Sequence, residues 1–168
     1  MTGNRWVVLG LGALALACGR SEAAPGVAAH ATALPAASAA CGHLACGESY
    51  FVDAAVQEGC LAAARCQVAL KLVATGAFHI NAQYPYRFRA EATPVLEFLG
   101  TDPAGNTVFS KSSGDWAEGD AKSGVITVRF TPKVRGSSTI SGIFKLSVCS
   151  EQNCLIEQPE LHVPINAS

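Results

Sequence analysis

The chain has 168 residues, 15% of them charged, and a net charge of −1, which leaves room for one domain plus a targeting segment. Such a balance excludes the basic excess of a nucleic-acid binder, and no polybasic run marks a lipid surface. Seven cysteines are too many for an ordinary cytosolic chain and require either an oxidising compartment or a metal.

At the N-terminus, MTGNRWVVLGLGALALACGR places one cation, Arg5, before an apolar run from Trp6 to Ala17. That run is too short to cross a bilayer as a mature helix and reads as the core of a signal peptide. Its end, Leu14-Ala15-Leu16-Ala17-Cys18, resembles the lipobox of bacterial lipoproteins. The resemblance implies a signal peptide over residues 1–17 and lipidation of Cys18, with two or more acyl chains giving the anchoring that a single chain does not. Gly19 stands where that family uses Asp for inner-membrane retention, which implies an outer-membrane anchor facing the periplasm. The alternative is an ordinary secretory signal cut near Ala24, with Cys18 discarded.

Residues 18–40 contain the Ala/Pro/Ser-rich run GRSEAAPGVAAHATALPAASAA, without periodicity and with almost no large side chain to bury. This composition predicts a disordered tether in which His30 is solvated. After Cys41 the texture changes to short alternating runs between turn signals. Tyr50 to Val56 forms a first strand; CQVALKLVA sets Val68, Leu70 and Leu72 on one face with Lys71 on the other. YPYRFRA sets Tyr84, Tyr86 and Phe88 against Arg87 and Arg89, with Pro85 marking an edge or a strand start. VLEFL, Thr107 to Phe109, GVITVRF, TISGIFKLSVC and LHVPI follow, separated by turn-rich segments such as TDPAGN and KSSGDWAEGDAKSG. Seven or eight strands and no helix predict an immunoglobulin-like antiparallel β-sandwich over residues 41–168, with a closed barrel as the alternative.

Apart from Cys18, six cysteines fall into close pairs: Cys41 with Cys46, Cys60 with Cys66, and Cys149 with Cys154. In an exported chain they read as a disulfide framework; spacing favours nearest-neighbour bridges but does not fix the connectivity. A bridge over so short a loop stabilises by only about 2 kcal/mol in the chain-entropy model. Along the strand before Cys149, the residues Ile140, Phe144, Leu146 and Val148 share one face, while Ile143, Lys145, Ser147 and Cys149 share the other. With the Phe144 face in the core, Cys149 points outward. The connection Ser150-Glu151-Gln152-Asn153 can then close a hairpin that sets Cys149 opposite Cys154, open to a partner thiolate.

The runs GAFHINAQYPYRF and FKLSVCSEQNCLIEQPE resemble the N-terminal periplasmic domain of the DsbD thiol:disulfide interchange family. In that family a His-x-Asn segment precedes a paired-cysteine hairpin in an immunoglobulin-like domain, and electrons pass to thioredoxin-like partners in the periplasm. The resemblance implies that Cys149 and Cys154 are a redox pair, with His79 and Asn81 on the His-Asn segment as modulators. Here the loop is one residue shorter, and Leu155-Ile156-Glu157 replaces the usual Tyr-Pro-Pro. The electron supply is expected from a separate protein.

Cys41, His43 and Cys46 are three potential zinc ligands, but export favours a disulfide loop with a solvated His43, so no metal and no cofactor are expected. An imidazole such as His79 can lower a thiol pKa, although a strand histidine satisfied by a backbone partner is an equal reading. Trp116 is either a cap on the sandwich or a partner-facing aromatic. No Ser/His/Asp set or phosphate loop supports a hydrolase or nucleotide enzyme. Two readings remain: a lipid-anchored thiol:disulfide relay, and a non-enzymatic binding or structural lipoprotein of the cell envelope whose bridges are structural only.

Overall fold

The computed structural model describes residues 41–168; the expected signal peptide, lipidated Cys18 and disordered tether fall outside the described residues. Twelve strands follow one another, beginning with β1 (Ala45–Cys46), β2 (Tyr50–Val56), β3 (Cys66–Ala74), β4 (His79–Ile80), β5 (Arg87–Ala90) and β6 (Leu96–Phe98). They continue with β7 (Val108–Ser110), β8 (Trp116–Glu118), β9 (Ser123–Pro132), β10 (Gly136–Cys149), β11 (Cys154–Glu157) and β12 (Glu160–Ala167). Seven of them have four residues or more; the others, of two or three residues, are too short to leave a periodic signal.

All pairings are antiparallel and build two sheets. One has the order β1-β2-β3-β9-β6 with β8 also on β9; the other has β11-β10-β5-β7 with β4 and β12 also on β10. Since no ladder joins the two sheets among the described residues, the fold is a sandwich and not a closed barrel.

Alternation makes the core. In β3, Val68, Leu70 and Leu72 are fully buried; Val68 faces Val128 and Leu70 faces Ile126 on β9, where Phe130 opposite Cys66 is buried too. The second sheet contributes Phe88, Ile140, Phe144, Leu146 and Val148, with Leu161 and Val163 from β12. Each such side chain stabilises by roughly 1.5–3 kcal/mol when buried. Two core-facing positions are glycine for lack of space: a Cβ on Gly142 would collide with the Arg89 carbonyl oxygen and the Phe88 ring, and one on Gly124 with the Trp116 ring.

The second sheet is organised by β10. On one side its partners keep a single register, since Gly136 faces Ala167, Ile143 faces Glu160, Leu146 faces Glu157 and Cys149 faces Cys154. Residues 136–167 are therefore one long hairpin. Its second arm is interrupted only near Pro159, which has no N–H to donate but whose carbonyl still accepts from the Phe144 amide at 3.0 Å. On the other side the register slips: β5 pairs Arg87 with Lys145, whereas β4 pairs Ile80 with Val148. Residues 81–86 thus lie opposite only Leu146 and Ser147 and must bulge out of the sheet.

Candidate functional site

The three bridges join Cys41 to Cys46, Cys60 to Cys66 and Cys149 to Cys154. At the last of these the turn is tighter than a four-residue loop. The Ser150 amide donates to the Asn153 carbonyl at 2.8 Å, and the Ser150 hydroxyl bonds Asn153 Oδ1 at 2.9 Å. Glu151 and Gln152 are left at the tip. The narrow Ser150–Asn153 pair makes Cys149 and Cys154 the next, non-hydrogen-bonded pair, with Cα atoms 4.0 Å apart, the place on a ladder where side chains come closest.

Cys149 does lie on the face opposite Phe144, but it is not open to solvent: it is 6% exposed, while Cys154 is exposed. The expectation of an accessible bridge is corrected to an asymmetric one, accessible on the Cys154 side. Parity alone reports the face of a sheet. Because β10 is an inner strand, the outer face at Cys149 is flanked by β4 on one side and β11 on the other.

The neighbour on β4 is His79, the residue directly opposite Cys149. Side chains of opposed residues in an antiparallel pair share a face, with Cβ atoms about 4.5–5.5 Å apart. His79, Cys149 and Cys154 therefore form one row across three strands. Asn81 takes no place in this row and instead builds the bulge. Its side-chain oxygen accepts from the Gln83 amide at 3.0 Å, its carbonyl accepts from the Tyr84 amide at 3.0 Å, and its Nδ2 lies 3.5 Å from Ser147 Oγ.

Beneath the bulge, the Tyr86 hydroxyl donates to the Ser147 carbonyl at 2.6 Å and accepts from the Asn81 amide at 2.9 Å. It supplies the partner that a neighbouring strand would otherwise give to that stretch of β10. Burial pushes the Tyr86 hydroxyl well above the usual phenol range, against a smaller lowering from the Asn81 amide. The Tyr86 ring stacks on Trp116 at 4.0 Å, which makes Trp116 an interior aromatic. Lys111 fixes the bulge from outside by donating to the Ala82 carbonyl and to Glu118. Lys122 does the same for β4 by donating to the Gly76 and Phe78 carbonyls.

The other bridges have different surroundings. Cys60 and Cys66 are both buried, and the loop between them is tied down by Ser168: the Ala62 amide donates to the Ser168 carbonyl, and the Ser168 amide to the Cys60 carbonyl, each at 3.1 Å. At Cys41–Cys46 both residues are partly exposed. His43 stacks on Phe51 at 4.0 Å and its Nδ1 lies 2.8 Å from Asp53 Oδ1. No group of three His, Cys, Asp or Glu side chains is placed to hold a metal among the described residues.

Sequence reasoning missed one surface feature. Ile156 is 62% exposed and faces Ser147 across the ladder, on the same face as Cys154. Its signal was the period-two spacing from Cys154, once β11 is recognised as a strand.

No protein-family model and no curated protein matches the chain. Among solved structures, it aligns with the ASH / PapD-like domain of human CEP192 (PapD-like domain 7) at 9% identity, over 68% of this chain and 84% of that one, with a TM-score of 0.29. A likeness that weak adds nothing to the two-sheet architecture, which rests on the strand pairing itself.

Proposed function

We propose that the domain is a periplasmic thiol:disulfide exchange module, tethered by a lipid on Cys18, in which Cys154 is the attacking thiol and Cys149 the resolving one. The observation that supports it is the asymmetry of one bridge: Cys154 is exposed and Cys149 is 6% exposed, beside a histidine held in register. Exchange needs this division, because a partner must reach one sulfur while the other is retained for the second step. The similarity to the DsbD domain supports the same pair, and the sequence Leu14 to Cys18 supports the tether.

In the reduced state, the Cys154 thiolate attacks a sulfur of a partner's disulfide; an S–S bond forms to Cys154 and the partner's other sulfur leaves as a thiolate. Cys149, deprotonated, then attacks Cys154 and releases the second partner thiolate. Two electrons have passed to the partner, and the Cys149–Cys154 disulfide is restored. A separate dithiol protein must reduce it again. An imidazolium at His79 would favour the thiolate of Cys149.

Cys149→Ser is expected to trap a mixed disulfide through Cys154 with a thioredoxin-like periplasmic protein, and Cys154→Ser to trap none. The competing reading, an envelope binding or structural lipoprotein, is favoured by the nearest-neighbour pattern common to all three bridges. A reduction potential below about −300 mV, the range of inert structural bridges, would decide for it and against exchange.

A further inference from the structure

The outer face of the second sheet carries a cluster of cations away from the cysteines. Arg87 and Arg89 are two residues apart on β5 and so share a face, and Lys145 of β10 stands directly opposite Arg87. Like charges opposed across a ladder destabilise it. Among the described residues, none of the three enters an ion pair. They line a cleft of about 250 Å3 together with Asp102, Asn106 and Gln158.

Of the nearby carboxylates, Glu91 lines the adjoining pocket with Arg89 and not this cleft, while Asp102 and Glu160 have partners of their own. Asp102 accepts from the Ala104 amide at 3.0 Å, the Asn106 amide at 2.9 Å and the Asn106 side chain at 3.1 Å, which closes the loop before β7. These bonds, with a smaller contribution from the charge of Arg87, hold its carboxyl below the usual range. Glu160, opposite Ile143, is paired with His162 at 3.3 Å. Three cations thus converge on a cleft in which one carboxylate, Asp102, already accepts from its own loop.

We propose that this cleft is an oxyanion site for a phosphate-bearing ligand, held by the guanidinium groups of Arg87 and Arg89 and the ammonium of Lys145, with the Gln158 amide as a neutral donor. A carboxylate brings one charge and is satisfied by a single guanidinium fork. A phosphate monoester brings nearly two charges and three acceptor oxygens, which matches a set of three cations offset by one carboxylate. Free phosphate monoesters and the monoester headgroup of phosphatidic acid share this chemistry.

Thermal unfolding of the full mature chain carrying Cys18→Ser tests it, in inorganic phosphate against chloride of equal ionic strength. With phosphate about tenfold above its Kd, the expected rise in Tm is about 4 °C. The double variant Arg87→Gln with Lys145→Gln should begin at an equal or higher Tm in chloride, because the opposed charges are gone, and should lose the phosphate increment. Co-sedimentation with vesicles containing phosphatidic acid, whose headgroup is a phosphate monoester, against phosphatidylcholine vesicles separates the sources. Binding to the former, lost in the double variant, with no effect of inorganic phosphate, identifies a lipid headgroup. An equal response to phosphate and chloride with no vesicle binding overturns the proposal, as does a double variant that responds like the parent.

Discussion

Two bridges of almost equal span sit in opposite circumstances. Cys60–Cys66 closes a loop whose cysteines are both buried and whose backbone is bonded to Ser168 and, through the Ala63 amide at 2.7 Å, to the Pro132 carbonyl. Cys149–Cys154 spans a turn already closed by Ser150 and Asn153, on a hairpin whose register is held over residues 136–167. In the first, the bridge replaces order that no ladder supplies; in the second, the ladder supplies the order and the bridge is largely redundant. A disulfide stabilises by restricting the unfolded chain, and loop length alone makes the two equal. The surroundings separate them, and a redundant bridge with one exposed end can open without unfolding the domain.

The sharpest way to break this comparison is to remove each bridge in turn. Cys60→Ala with Cys66→Ala should lower stability by about 3 kcal/mol or more, the roughly 2 kcal/mol of loop entropy plus the loss of two buried side chains. Cys149→Ala with Cys154→Ala should cost less, because only one of its two cysteines is buried and the ladder already holds the turn. Urea titration of both gives the answer, and equal losses would remove the distinction.

Tyr86→Phe sharpens it from the other side. Loss of the hydroxyl strands the Ser147 carbonyl and the Asn81 amide, and an unsatisfied buried group costs about 1–3 kcal/mol. The bulge over β10 should loosen, so Cys149–Cys154 should reduce faster in mild dithiol while Cys60–Cys66 keeps its rate. Mass mapping of alkylated cysteines reads both; equal acceleration at the two bridges would mean that the hydroxyl supports the whole domain and not this corner.

How much of this was legible beforehand depended on range. The alternation in CQVALKLVA and GVITVRF marked β3 and β9, because a side chain's face follows from its parity alone. The hairpin at Cys149 was equally local, although the expected four-residue connection closes further, leaving only Glu151 and Gln152 at its tip. The row of His79, Cys149 and Cys154 was not legible, since 70 positions separate His79 from Cys149 and the slip of register between β4 and β5 has no local signature. Burial of Cys149 failed for the same reason: parity assigned its face, but only the neighbours of β10 decide what covers that face. Arg87 and Arg89 were read as the solvent side of an aromatic stripe, whereas Lys145 became their neighbour only through the pairing of β5 with β10.

The smallest expected effect tests the row itself. His79 is exposed, so His79→Gln should change stability by no more than about 0.5 kcal/mol. Its effect on exchange should be kinetic. When an external thiolate attacks Cys154, Cys149 is the leaving group, and a leaving thiolate departs faster as its pKa falls. An imidazole beside Cys149 can lower that pKa, so dithiol reduction of Cys149–Cys154 should slow several-fold in His79→Gln. The Cys60–Cys66 bridge, with no histidine paired opposite either cysteine, should reduce at the same rate in both proteins. An equal slowing at both bridges would mean that His79 acts by packing, and the row would lose its electrostatic role while keeping its geometry.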